Sequence, residues 1–77
     1  MKGREILKEV MASKSLANAD LAKRLNVSNA TIWARLNNKN VKDIPASLLT
    51  TMLRAMDYKV IAVPANTRIP DGGYEVE

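Results

Sequence analysis

Between Leu21 and Lys42 the sequence places five cations, Lys23, Arg24, Arg35, Lys39 and Lys42, and no carboxylate. Among them stand short polar side chains, Ser28, Asn29, Thr31, Asn37, Asn38 and Asn40, which donate and accept hydrogen bonds without titrating near neutral pH. That is chemistry for gripping a polyanion and matching hydrogen-bonding edges. It is not chemistry for breaking bonds. The 77 residues hold no histidine and no cysteine, so the commonest base, the thiolate nucleophile and the usual zinc ligands are all missing. The eight acids do not cluster at paired spacing, and no Gly-rich phosphate loop occurs. Neither an enzyme, nor a metal centre, nor a cofactor is expected. One Trp, two Tyr and no Phe leave little from which to build a stacking platform for single strands, so the expected nucleic acid is a duplex.

The net charge of +4 conceals an asymmetry. Residues 1–59 carry eleven Lys and Arg against five acids, a balance of +6, whereas residues 60–77 carry Arg68 against Asp71, Glu75 and Glu77, a balance of −2. The chain therefore divides into a basic unit, 1–57, and a tail, 58–77. A single domain of this size buries little surface, and with disulfides and zinc excluded it needs tight helix packing or self-association to be stable.

Four helices would position the polar residues. Ile6, Leu7, Val10 and Met11 recur at the spacing of one buried stripe and predict a first helix over 2–12. Ser13, Lys14 and Ser15 form a polar connector, and Leu16 is placed to pack under the next helix. Asn18 is a suitable N-cap for a second helix, 19–25, with Asp20 at the positive end of its dipole. Asn26 suits the left-handed conformation that ends a helix. Val27 can then drop into the core, and Ser28 can cap a third helix, 29–37. Ile32 and Leu36 share the inner face of that helix, and Ala22 is small enough to let the second and third helices cross closely. After the turn-prone NNKNVKD of 37–43, Pro45 suits the start of a fourth helix, 45–56, whose stripe is Leu48, Leu49, Met52, Leu53 and Met56.

The string NADLAKRLNVSNATIWARLNNKN resembles the Cro and repressor-type (XRE-like) helix-turn-helix family of bacterial and phage transcription regulators. Leu21 and Ala22 match the apolar-small pair of its second helix, Val27 and Ser28 its turn, and Ile32 the core position of its recognition helix. Asn26 departs from the glycine most common there, although it tolerates the same backbone. The resemblance implies a mainly α, four-helix, lambda-repressor-like domain in which the third helix enters the major groove and the second lies across the backbone. With Ile32 inward, the outward arc is Ala30, Ala34 and Asn37, flanked by Thr31 and Trp33, while Asn29 opens the helix. The two alanines permit close approach and can touch thymine methyls; Asn29, Thr31 and Asn37 can hydrogen-bond, Asn29 in two-pronged fashion with adenine. Asn29, Ala30 and Ala34 also match the family's usual base-contacting positions. Trp33 has two readings, packing on a neighbouring helix or lying against the sugar-phosphate wall or a thymine methyl. Thr31 is similarly open between a groove contact and a local backbone bond. Phosphate contacts are expected from Asn18, which matches a phosphate-gripping position of the family, from Ser28, and from Lys14, Arg35, Asn38, Lys39, Asn40 and Lys42.

The tail changes character. Tyr58 to Val63 is rich in β-branched residues and stops at Pro64, PDGG at 70–73 is a turn signal, and Tyr74 to Val76 could return as a second strand. Small members of the resembled family pair through a carboxy-terminal strand, which makes Tyr58, Val60, Ile61, Ala62 and Val63 candidates for a homodimer contact. A hairpin within one chain is the other possibility, and the two can coexist. A homodimer would set two reading helices about 34 Å apart and require an inverted-repeat operator. The alternative function is a protein-interaction module, an antitoxin or antirepressor using the same fold with a protein partner. No apolar run approaches the roughly 20 residues that cross a bilayer, and the amino end lacks the apolar core of a secretory signal, so no membrane partner is expected and the expected location is the cytoplasm.

Overall fold

The computed structural model describes residues 1–37 and 43–76. Four helices lie among the described residues: α1 Gly3–Ser13, α2 Asn18–Leu25, α3 Asn29–Asn37 and α4 Ala46–Arg54. α1 packs on both α3 and α4, and α2 packs on α3. Its stripe of Ile6, Leu7, Val10 and Met11 is buried together with Leu21, Ala22, Ile32, Leu36, Ile44, Leu49, Met52, Leu53 and Met56. Among the described residues, no buried polar or charged side chain joins this core. None of its members is aromatic either; three are methionines, whose unbranched side chains fill irregular gaps without demanding one geometry.

α1, α2 and α4 close in the same way. After α1 the amide of Ser15 donates to the Ala12 carbonyl (3.1 Å) and that of Leu16 to Met11 (2.8 Å). After α2, Asn26 donates to Lys23 (3.2 Å) and Val27 to Ala22 (3.0 Å). After α4, Asp57 donates to Arg54 (3.0 Å) and Tyr58 to Leu53 (2.9 Å). These are the paired bonds of the Schellman closure, which requires a left-handed residue, and Ser15, Asn26 and Asp57 have φ of 54, 56 and 66°. The next residue in each case, Leu16, Val27 or Tyr58, packs against the core, as the motif's apolar contact demands. Left-handedness at Asn26 follows the sequence reading. At Ser15 and Asp57 it was not anticipated, because serine and aspartate are weaker signals for that backbone than asparagine or glycine.

Two caps differ from expectation. Ala17, extended at φ −84° and ψ 167°, is the N-cap of α2, and Asn18 is the first helical residue. Ala17 has no side-chain acceptor; instead the Asp20 carboxylate reaches back to its amide (2.8 Å). Pro45 likewise caps α4 from outside rather than opening it. Ahead of α4, Asp43 accepts from the amides of Gly3 (2.7 Å) and Arg4 (3.1 Å), so a carboxylate near the start of the fourth helix caps the first. Gly3 allows this approach: a Cβ there would lie 2.8 Å from Cγ2 of Ile44. Burial pushes the Asp43 carboxyl up, but bonds from the Gly3, Ile44 and Arg4 amides and the Arg4 charge outweigh it, leaving the group below its ordinary range.

The tail corrects the expected strand and hairpin. Among the described residues there is no strand; Tyr58–Val63 and Tyr74–Val76 run without a ladder between them. The reason is local. The Tyr58 amide is spent on closing α4, Pro64 offers no donor, and two turns, Thr67 to Pro64 (2.9 Å) and Gly73 to Pro70 (2.9 Å), divide the segment. The second is the anticipated PDGG turn, with Gly72 at φ 81°. Tyr58 and Tyr74 pack against the helical core, and the Met1 ammonium donates to the Glu75 carbonyl (2.9 Å), so the tail folds back over α1 and α4. No described helix is long and apolar enough to cross a membrane.

Candidate nucleic-acid interface

The three-residue bend between α2 and α3 is built from backbone chemistry. Asn26 turns the chain left-handed, Val27 anchors it on the core, and the Ser28 hydroxyl accepts from the Thr31 amide (3.1 Å) while the Ser28 carbonyl accepts from Ile32 (3.2 Å). Ser28 thus caps α3 as expected. Ile32 at 0% and Leu36 at 5% exposure face the core, and Asn29, Ala30, Trp33 and Ala34 are exposed on the opposite side. The expected outward arc is therefore present with one exchange: Trp33 stands out at 61% exposure, whereas Asn37 is half-buried. The core reading of Trp33 is excluded by this exposure.

The polar residues of α3 divide according to what already engages them. Thr31 is half-buried, and its hydroxyl lies 2.9 Å from the Ser28 hydroxyl, a local contact between side chains rather than the backbone bond considered above. Asn37 donates to the Trp33 carbonyl (2.9 Å) and accepts from the Lys8 ammonium at 3.5 Å. The Asn29 side chain is exposed, and no hydrogen bond within the described residues engages it. On the reading face it is the side-chain amide that no described residue engages.

The residues expected on phosphates are scattered. Asn18 stands half-buried at the start of α2, where the amides of the first turn have no intrahelical acceptor. Arg35 is half-buried in the last turn of α3. Lys14 lies 3.9 Å from the Asp57 carboxylate and 5.7 Å from the centre of the Tyr58 ring, which ties it to the end of α4. Arg24, one of the five cations in the acid-free stretch, donates to the Ala55 carbonyl (3.0 Å) and neutralises the negative end of α4. Asn38, Lys39, Asn40 and Lys42 lie outside the described residues. One cation escaped the sequence reading: Lys8 of α1 reaches α3 through Asn37. Periodicity marks Lys8 as solvent-facing but cannot say which neighbour it stands beside.

Of the residues expected to pair subunits, Val60, Ile61, Ala62 and Val63 are exposed, while Tyr58 is half-buried against its own core. Among the described residues, Val60, Ile61 and Val63 with Ile69, Val76 and Trp33 make up the exposed large hydrophobic side chains, so all of these but Trp33 lie in the tail.

Residues 2–38, which span α1, α2 and α3, match the family model of winged helix-turn-helix DNA-binding domains. No curated protein and no solved structure matches the chain. The match stops where α3 ends, so it rests on the trihelical unit whose third helix presents an exposed face. Residues 2–38 are thus similar to a DNA-binding helix-turn-helix unit, a likeness that does not single out the Cro and repressor type.

Proposed function

We propose that this protein is a sequence-specific reader of double-stranded DNA that acts as a transcriptional repressor of the Cro and repressor type, binding an inverted-repeat operator as a homodimer. The observation that carries the reading is the exposed face of α3, with Asn29, Ala30 and Ala34 clear of the body while Ile32 and Leu36 anchor the helix from behind. A helix held this way can enter a major groove, and the two alanines let its backbone approach the bases closely. Asn29 is the hydrogen-bonding reader, and its amide suits the paired donor and acceptor of adenine. Asn18 and Arg35 grip the flanking phosphates.

Selection from random duplexes tests the proposal. An enriched, two-fold symmetric motif is expected at moderate salt, and Asn29→Ala should reduce discrimination at one base position by about 1–3 kcal/mol while leaving the others intact. Recovery of no enriched sequence would reject specific reading.

A second reading is favoured by the exposed Val60, Ile61 and Val63 of the tail, which offer an apolar surface to a protein partner. In that case the chain is an antitoxin or antirepressor, and the tail holds a different protein rather than a second copy. The two readings separate on the mass of the purified chain in solution.

A further inference from the structure

α1 and α3 enclose a shallow groove of about 420 Å³. Lys8, Asn18, Trp33 and Asn37 stand around it, Met11 and Leu36 contribute its apolar lining, and no carboxylate borders it among the described residues. Asn29, Ala30 and Ala34 do not line it, so Trp33 occupies the α1 side of the reading face. An indole 61% exposed in a groove that a lysine also lines is an unusual use of the largest apolar side chain, since tryptophan is ordinarily well buried. The Lys8 ammonium is only loosely engaged, 3.5 Å from the Asn37 oxygen, at the outer limit of a hydrogen bond.

We propose that this groove seats one sugar-phosphate strand of the duplex, with the Trp33 ring against a deoxyribose and the Lys8 ammonium on the adjoining phosphate. The inference rests on the DNA-binding reading above and assigns Trp33 to backbone positioning instead of base readout. Dimensions support the assignment. A helix with its side chains is about 10–12 Å across and the major groove about 12 Å wide, so a bulky ring on the flank of an inserted helix meets the wall. The charge of the groove suits that occupant: one cation, two neutral amides and an indole face a polyanion, with no bordering carboxylate to repel it.

The test uses the full chain, the duplex recovered by selection and a random duplex of equal length, with affinities measured across a series of KCl concentrations. Lys8→Gln should weaken binding to both duplexes by the same factor and lower the slope of log affinity against log salt by about 0.9. Trp33→Leu should weaken both duplexes equally and leave the selected sequence unchanged, and the emission of the one Trp should respond to either duplex. Both positions are exposed, and circular dichroism should show unchanged helix content. An unaltered salt slope in Lys8→Gln, or a shifted base preference in Trp33→Leu, overturns the inference while the wild-type protein still selects its operator. If the wild-type protein binds no duplex at all, the parent reading falls and takes this one with it.

Discussion

At the scale of single residues, one carboxylate does more for the fold than any motif in the sequence suggests. Asp43 bonds two amides of the first turn of α1 from a point forty residues along the chain. Asp43→Ala should therefore cost about 1–2 kcal/mol at pH 7, the usual range for losing an N-terminal cap. The pH dependence has a defined sign. Because folding lowers the Asp43 pKa below its ordinary value of 3.8, the stabilisation is fully present above that value and is lost as pH falls through the lower folded value. Urea titrations of wild type and Asp43→Ala should thus differ at pH 7 and converge below pH 3.8; equal midpoints at pH 7 would remove the cap from the account. Ser28 and Thr31 teach a related lesson: one hydroxyl ends up capping α3 and the other bonded to it, so neither stands unengaged before a ligand.

At the scale of elements, helix endings set the geometry of the interface. Three left-handed, non-glycine residues turn the chain after α1, α2 and α4, and the middle one aims α3. A left-handed backbone costs most L-residues roughly 1–2 kcal/mol, and asparagine less because its short polar side chain can bond locally. Ser15→Gly should accordingly stabilise the protein by about 0.5–1 kcal/mol after allowing for the added freedom of glycine in the unfolded chain. Asn26→Gly should be close to neutral. Thermal melts of the two variants distinguish these outcomes, and a destabilised Ser15→Gly would contradict the strain assigned to that turn. Helix spans were legible from apolar spacing to within a residue or two, since a buried stripe must recur every three to four residues. α4 ends at Arg54, two residues before the expected Met56. Met56 continues the stripe and is fully buried, yet it lies beyond the helix, in the turn that closes it. Burial alone therefore does not report helical backbone.

At the scale of the whole molecule, the helical body and the tail present opposite surfaces. Among the described residues, Trp33 is the large apolar side chain that the body exposes, while the tail leaves Val60, Ile61, Val63, Ile69 and Val76 exposed. If a second copy covers them, the full chain should sediment at twice its mass of 8.5 kDa. Ile61→Glu should then return it to a monomer without loss of helix, because Ile61 is 62% exposed and is not among the residues packed on the helical core. Operator affinity should fall in parallel, since two linked reading helices bind more tightly than one. A wild-type chain that already sediments as a monomer would reject the homodimer.

Composition and periodicity by themselves determined the helices, the core stripe, the bend at Asn26 to Ser28 and the outward position of Asn29, Ala30 and Ala34. Each depends on interactions between residues a few positions apart, which spacing encodes directly. Only the tertiary structure decided that Trp33 lies open, that Lys8 lines the same groove, that Asp43 caps a distant helix and that the described part of the tail lies along the body without forming strands. Those outcomes turn on which surfaces meet after the chain has folded, and contacts between residues far apart in the sequence leave no periodic trace in the order of amino acids.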